Sequence, residues 1–229
     1  MRFLLLSVAV FLAGCATQAP HYYALQAPAL AFSGQVSSGQ APAGQESPRQ
    51  AQPLRTDYVI KVQPVLIPEQ LARPQIVIST AESPEVMPLN AALWAGPLEA
   101  QIRETLGAAL ASRLNVLDVS ASEFSTEAPV WQIYFDFQRF DSIYGQAIRQ
   151  DAVWRTAPLG MASGVKGQVC SAQLTLPVGE GMGALVAGHR QALEHLAGLV
   201  AQTLPWPQPA SAPAASNLPQ GLIFRGCVS

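Results

Sequence analysis

Charge is scarce in this chain: Asp, Glu, Lys and Arg make up 12% of its 229 residues, with 13 basic side chains against 15 acidic ones. No basic excess is present to neutralise a phosphate backbone, so a nucleic-acid partner is not expected. Histidine is rarer still, at His21, His189 and His195. The last two are six positions apart, which on a helix turns them about 120° from each other, so they cannot grip one metal as an i, i+4 pair does. No Gly-x-Ser-x-Gly elbow occurs, and Ser163 falls in the loop-like Gly160-Met161-Ala162-Ser163-Gly164. Asp136, Asp141 and Asp151 lie in or near a predicted hairpin rich in Arg139, Arg149 and Arg155, and are expected to be solvated or ion-paired. Gly179-Glu180-Gly181-Met182-Gly183-Ala184 matches a dinucleotide pattern, but a Rossmann unit needs a second parallel strand and a later acidic residue, neither of which follows. These absences leave no catalytic constellation, no metal site and no cofactor beyond a covalent lipid.

That lipid is predicted from the first residues. Met1-Arg2 is a short basic start, Phe3 to Ala13 is apolar, and Leu12-Ala13-Gly14-Cys15 follows as a lipobox. The run is shorter than the about 20 apolar residues a membrane span requires. Cleavage before Cys15 is expected to remove 14 residues and leave 215, with acyl chains on the Cys15 thiol and amine as a stable anchor. Ala16 in place of Asp points to the outer membrane, periplasmic face. Cys170 and Cys227 are then a possible disulfide pair in an oxidising compartment, or two buried free thiols. The pair is the expectation, because a tail ending in Gly226-Cys227-Val228-Ser229 has little else to fix it.

Residues 26–55 are rich in Ala, Gly, Pro, Ser and Gln and poor in bulky apolar side chains, so they cannot offset their ordering entropy. Thirty such residues span roughly 30 Å as a flexible chain, which predicts a folded body loosely coupled to its anchor. Alternation predicts strands over Tyr58–Ile67, Gln75–Thr80, Val116–Val119, Val130–Phe140, Ala147–Thr156 and Gln168–Pro177. A slip in alternation near Arg139 and Phe140 suggests a bulge. Helices are predicted from Pro97, on the stripe Leu98, Ile102, Leu106, Ala109 and Leu110, and from Met182 to Thr203. The expected fold is α+β: a single domain over 56–205, a mostly antiparallel sheet carrying two long amphipathic helices. The anchor segment 15–55 and a Pro/Ala-rich tail, 206–229, flank it.

Several segments together resemble the ABC-type transport auxiliary lipoproteins, the PqiC-like family. They are the lipobox followed by Tyr22-Tyr23-x-Leu25, the strand leading to Ile67-Pro68 and Leu71-Ala72-Arg73-Pro74, and the block Leu93-Trp94-Ala95-Gly96-Pro97-Leu98. The long tether and the tail beyond Pro205 depart from the family pattern. The resemblance implies work beside an MCE-domain tunnel protein that moves lipid between membranes, with the lipoprotein a homo-oligomer at the outer membrane. It further implies docking by Tyr22, Tyr23 and Leu25 onto the domain or a neighbouring protomer; the alternative is a Tyr pair resting in the headgroups. Trp94 would buttress the helix begun at Pro97 and Leu98, as core more than as partner contact. A lipoprotein activator of a cell-wall synthase is the alternative function.

Overall fold

A computed structural model gives the architecture and describes residues 19–25, 53–80, 83, 85–121, 127–205, 213 and 217–229. The signal peptide, Cys15 and most of the 26–55 segment lie outside the described residues. Among the described residues nine strands form one sheet: β1 His21–Tyr23, β2 Arg55–Val62, β3 Gln75–Ser79, β4 Val86–Trp94, β5 Val116–Asp118, β6 Val130–Ile143, β7 Ala147–Leu159, β8 Gln168–Pro177 and β9 Leu222–Val228. Two long helices, α1 Leu98–Leu114 and α2 Met182–Thr203, pack on one face of the sheet and on each other. The result is a single two-layer α+β domain, and antiparallel pairing dominates its larger ladders.

The fourteen-residue β6 is the spine. Its first residues pair in parallel with β2, from Val59 opposite Val130 to Val62 opposite Ile133, and its last residue, Ile143, meets Ser79 of β3. On its other side it forms the longest ladder, antiparallel to β7. Trp131, Ile133, Phe135 and Phe137 point into the core. A register shift between Phe137 and Arg139 then changes the parity, so that Phe140 and Ser142 become the buried positions. This bulge lies one step earlier than the alternation of the sequence suggested, and it keeps aromatic side chains on the helix-facing side along the whole strand.

The helices cover that aromatic layer. Leu98, Ile102, Leu106 and Leu110 of α1, and Leu185, Leu193, Leu196 and Val200 of α2, are all 2% exposed or less. The opposite face of the sheet carries polar groups: Arg155 stacks over the Tyr134 ring at 4.0 Å, and Arg139 sits 3.5 Å from Asp151 and 3.7 Å from Asp141. Alternating inward and outward residues are what a sheet covered on one side requires.

Both ends of the chain add strands beyond the 56–205 span. β1 pairs in parallel with the end of β4, with Tyr22 opposite Leu93. β9 pairs antiparallel with β8 as the far edge of the sheet. Within β9, Leu222 is buried and Phe224 stacks on Trp154 at 6.1 Å between ring centroids. The Leu222-Ile223-Phe224 patch is therefore an edge strand with alternate residues turned to the core. Cys227 lies opposite Cys170, and the two form a disulfide.

Candidate functional site

The site begins with a strand of three residues. β1 alone could not hold itself in place, since a backbone ladder this short offsets little ordering entropy. Three further contacts secure it. The Tyr23 carbonyl accepts the Ala95 N–H at 2.8 Å. Leu25 is fully buried within the main core. Its N–H donates to Gln101 Oε1 at 2.9 Å, while Gln101 Nε2 donates to the Gly96 carbonyl at 2.9 Å.

Gln101 is thus a clasp between the N-terminal segment and the loop that opens α1. It lies three residues after Leu98, on the buried face of the helix, where a polar side chain needs partners to be tolerated. Sequence reading passed over it because attention to the apolar stripe ranks a glutamine as surface. A polar residue in phase with Leu98 and Thr105 was the available signal.

The block expected to carry family character sits directly beneath. Trp94 is 5% exposed and its backbone N–H donates to the Pro74 carbonyl at 2.7 Å. Pro97 precedes the first helical residue, and its carbonyl accepts from the Ala100 and Gln101 N–H groups. Leu98 is 2% exposed. Trp94 is a core residue joining β4 to the start of α1. Beside it Ala72, Arg73, Pro74, Gly96 and Glu99 border a groove of about 400 Å³. A second groove, about 340 Å³, runs between Tyr22 to Leu25 and the first turns of α2, with Arg190 at its margin. Tyr22 is 65% exposed, whereas Tyr23 is half-buried against the core. The structure therefore brings Tyr23, Leu25, Trp94, Pro97 and Leu98 together, leaves the Tyr22 ring outward, and puts Cys170 and Cys227 at the other edge of the sheet.

The polar side chains described at this site include Gln101, Arg73, Glu99 and Arg190. Elsewhere, His189 meets Ser142 Oγ at 2.9 Å through Nε2, a contact that invites comparison with a nucleophile and its base. Gln150 Nε2 donates to the His189 carbonyl at 3.2 Å and lies 3.1 Å from His189 Nδ1; with the amide in this orientation Nδ1 is the acceptor and Nε2 carries the proton. A histidine protonated on the nitrogen facing Ser142 cannot take the serine proton. Burial also pushes the His189 pKa down to about 3, and Ser142 itself is 4% exposed. The trio is a buried polar network of the core, in which Gln150 Oε1 has no hydrogen-bond partner among the described residues. The glycine-rich loop before α2 follows β8, but the next strand is the antiparallel β9, so no dinucleotide unit forms. Among the described residues no group of His, Cys, Asp and Glu could hold a metal ion, and no helix is long and apolar enough to cross a membrane.

A family model described as the ABC-type transport auxiliary lipoprotein component matches residues 39–201, well over half of the chain. The chain belongs to that family. In this auxiliary lipoprotein the matched span includes β2 to β8 and nearly all of α2. Among solved structures, a crystal structure titled only as an uncharacterized protein has the same fold. It is 19% identical, with 80% of this chain and 97% of its own covered at a TM-score of 0.53. A Xanthomonas campestris protein is 18% identical over 71% of this chain and 92% of its own, with a TM-score of 0.48. No curated protein matches the auxiliary lipoprotein.

Proposed function

We propose that this auxiliary lipoprotein is lipidated on Cys15, faces the periplasm from the outer membrane, and docks there with an MCE-domain tunnel protein to pass lipid between the two membranes. On this reading it acts as a homo-oligomer and carries no catalytic activity. The observation that supports it best is the match to the transport auxiliary family over residues 39–201, together with the docked Tyr22-Tyr23-x-Leu25 segment just upstream. Tyr22, the outward member of that segment, and the groove beside it against α2 are the surface offered to a neighbouring protomer or the tunnel.

The cell-wall synthase reading fits the geometry less well. An activator of that kind has to reach through the peptidoglycan layer from its anchor. Here only six positions separate Cys15 from His21, where the chain joins the sheet, and six residues reach at most about 20 Å.

Crosslinking in intact cells, followed by purification of the tagged lipoprotein and mass spectrometry, tests the assignment. An MCE-domain protein is the expected companion. Recovery of a cell-wall synthase with no MCE protein would overturn the reading and favour the alternative.

A further inference from the structure

The position of β1 changes what tethers the domain. β1 runs parallel to β4, so the chain preceding His21 arrives from the side of the sheet where β4 begins, at Val86. From Ala92, the partner of His21, back to Val86 is six residues, about 20 Å of strand. The six residues from Cys15 to His21 have the same reach, about 20 Å. A lipid on Cys15 therefore holds this end of the sheet close to the bilayer.

Two apolar side chains and a tyrosine stand exposed at that end, beside the exposed carboxylates of Glu85 and Glu180. Val86 and Met87 are 54% and 52% exposed, and Tyr144, in the turn between β6 and β7, is 44% exposed. They are neighbours in the fold: Val86 is opposite Ser79, and the Ser79 carbonyl accepts the Tyr144 N–H at 3.2 Å. Among the described residues this valine, methionine and tyrosine stay open to solvent at one end of the sheet. Such a set suits the boundary between headgroups and acyl chains, where apolar side chains are buried and a tyrosine keeps its hydroxyl wet. None of the three is basic, so attachment here rests on apolar burial.

We infer that Val86, Met87 and Tyr144 form a membrane-contact face, pressed into the headgroup region of the bilayer that holds the acyl chains. This rests on the proposed lipidation of Cys15 but not on the MCE partner. The surface is therefore an orienting device. It fixes which end of the domain meets lipid and leaves the α1–α2 layer facing sideways.

The test uses the full-length, processed lipoprotein in vesicles of phosphatidylethanolamine and phosphatidylglycerol, some bearing a spin-label quencher in the headgroup. With Cys15 acylated and Cys170 paired to Cys227, an introduced cysteine is the single reactive thiol, so Met87→Cys and Tyr144→Cys can each carry an environment-sensitive fluorophore. Leu159→Cys is the control, since Leu159 is 55% exposed at the opposite end of the same hairpin, across from Val130. A face seated about 5–10 Å into the headgroups predicts quenching of about twofold or more at positions 87 and 144, little at 159, and no loss of quenching on raising the salt. Protein that floats with the vesicles while positions 87 and 144 are quenched no more than 159 overturns the contact face and leaves the anchor intact. Protein that fails to float overturns both.

Discussion

His189 shows how a histidine can be silent in chemistry and still govern stability. Its ring stacks on Phe140 at 4.1 Å, and its polar contacts are the uncharged Ser142 and Gln150. Burial lowers its pKa from 6.5 to about 3. The unfolded chain then binds a proton that the folded chain refuses, so stability falls as the pH drops from about 6.5 toward about 3. The expected slope is about tenfold in the folding constant per pH unit within that window. Denaturant titrations at pH 7, 6, 5 and 4 would show it, and His189→Gln should flatten the histidine component while lowering stability at pH 7. Gln101 gives a second residue-level expectation. Gln101→Met keeps the shape of the side chain but leaves the Leu25 N–H and the Gly96 carbonyl unpaired, at a cost of about 1–3 kcal/mol. Hydrogen exchange should show the loss first at Leu25 and β1, with the β6–β7 hairpin unaffected. Neither role was legible in the sequence. A lone buried histidine and a glutamine in phase with an apolar stripe reveal their partners only after the chain has folded.

Elements with a strong period were legible, and those without one were not. The expected bounds of α2 and β8 agree with the structure because each carries a long, regular pattern. β4 was missed because Val86-Met87-Pro88-Leu89-Asn90-Ala91-Ala92 mixes a proline, an asparagine and alanines, none of them a strand former. It is a strand through its neighbours, β3 on one side and β1 on part of the other. β1 is too short to have any period. β9 was readable only as an apolar patch beside a cysteine, and its ladder with β8 is closed by a disulfide across 57 residues. Closing a loop of that size stabilises the fold by about 4 kcal/mol on the chain-entropy model. Reduction should therefore lower the thermal midpoint and free β9 from β8, uncovering Trp154, which Phe224 now covers. Tryptophan emission should shift to the red under dithiothreitol, and a Cys170→Ala, Cys227→Ala double variant should reproduce the shift without reductant.

At the scale of the whole molecule, the Ala-, Gly- and Gln-rich segment lies between two parts of the sheet. Composition predicts a flexible stretch over residues 26–55, most of which lies outside the described residues; the chain pairs with the sheet at His21–Tyr23 before it and again at β2. The connection of 27 residues from 26 to 52 joins these two points of the chain. Its ends lie near opposite ends of α1: the Leu25 N–H is held by Gln101, and the Pro53 carbonyl accepts from the Asn115 side chain. Fourteen helical residues separate those two contacts, roughly 20 Å, which about a dozen residues of extended chain span with ease. Deleting residues 30–44 should leave the fold intact and raise stability by under about 1 kcal/mol, as loop-closure entropy requires. It should also leave Met87→Cys quenching in vesicles unchanged, because this connection does not set the distance to the membrane. Inserting fifteen Gly and Ser residues after Thr17 should do the reverse, sparing stability and abolishing the quenching. If the segment 26–52 were the tether after all, the deletion would change membrane proximity and the insertion would matter little, so the pair of variants decides which part of the chain is the leash.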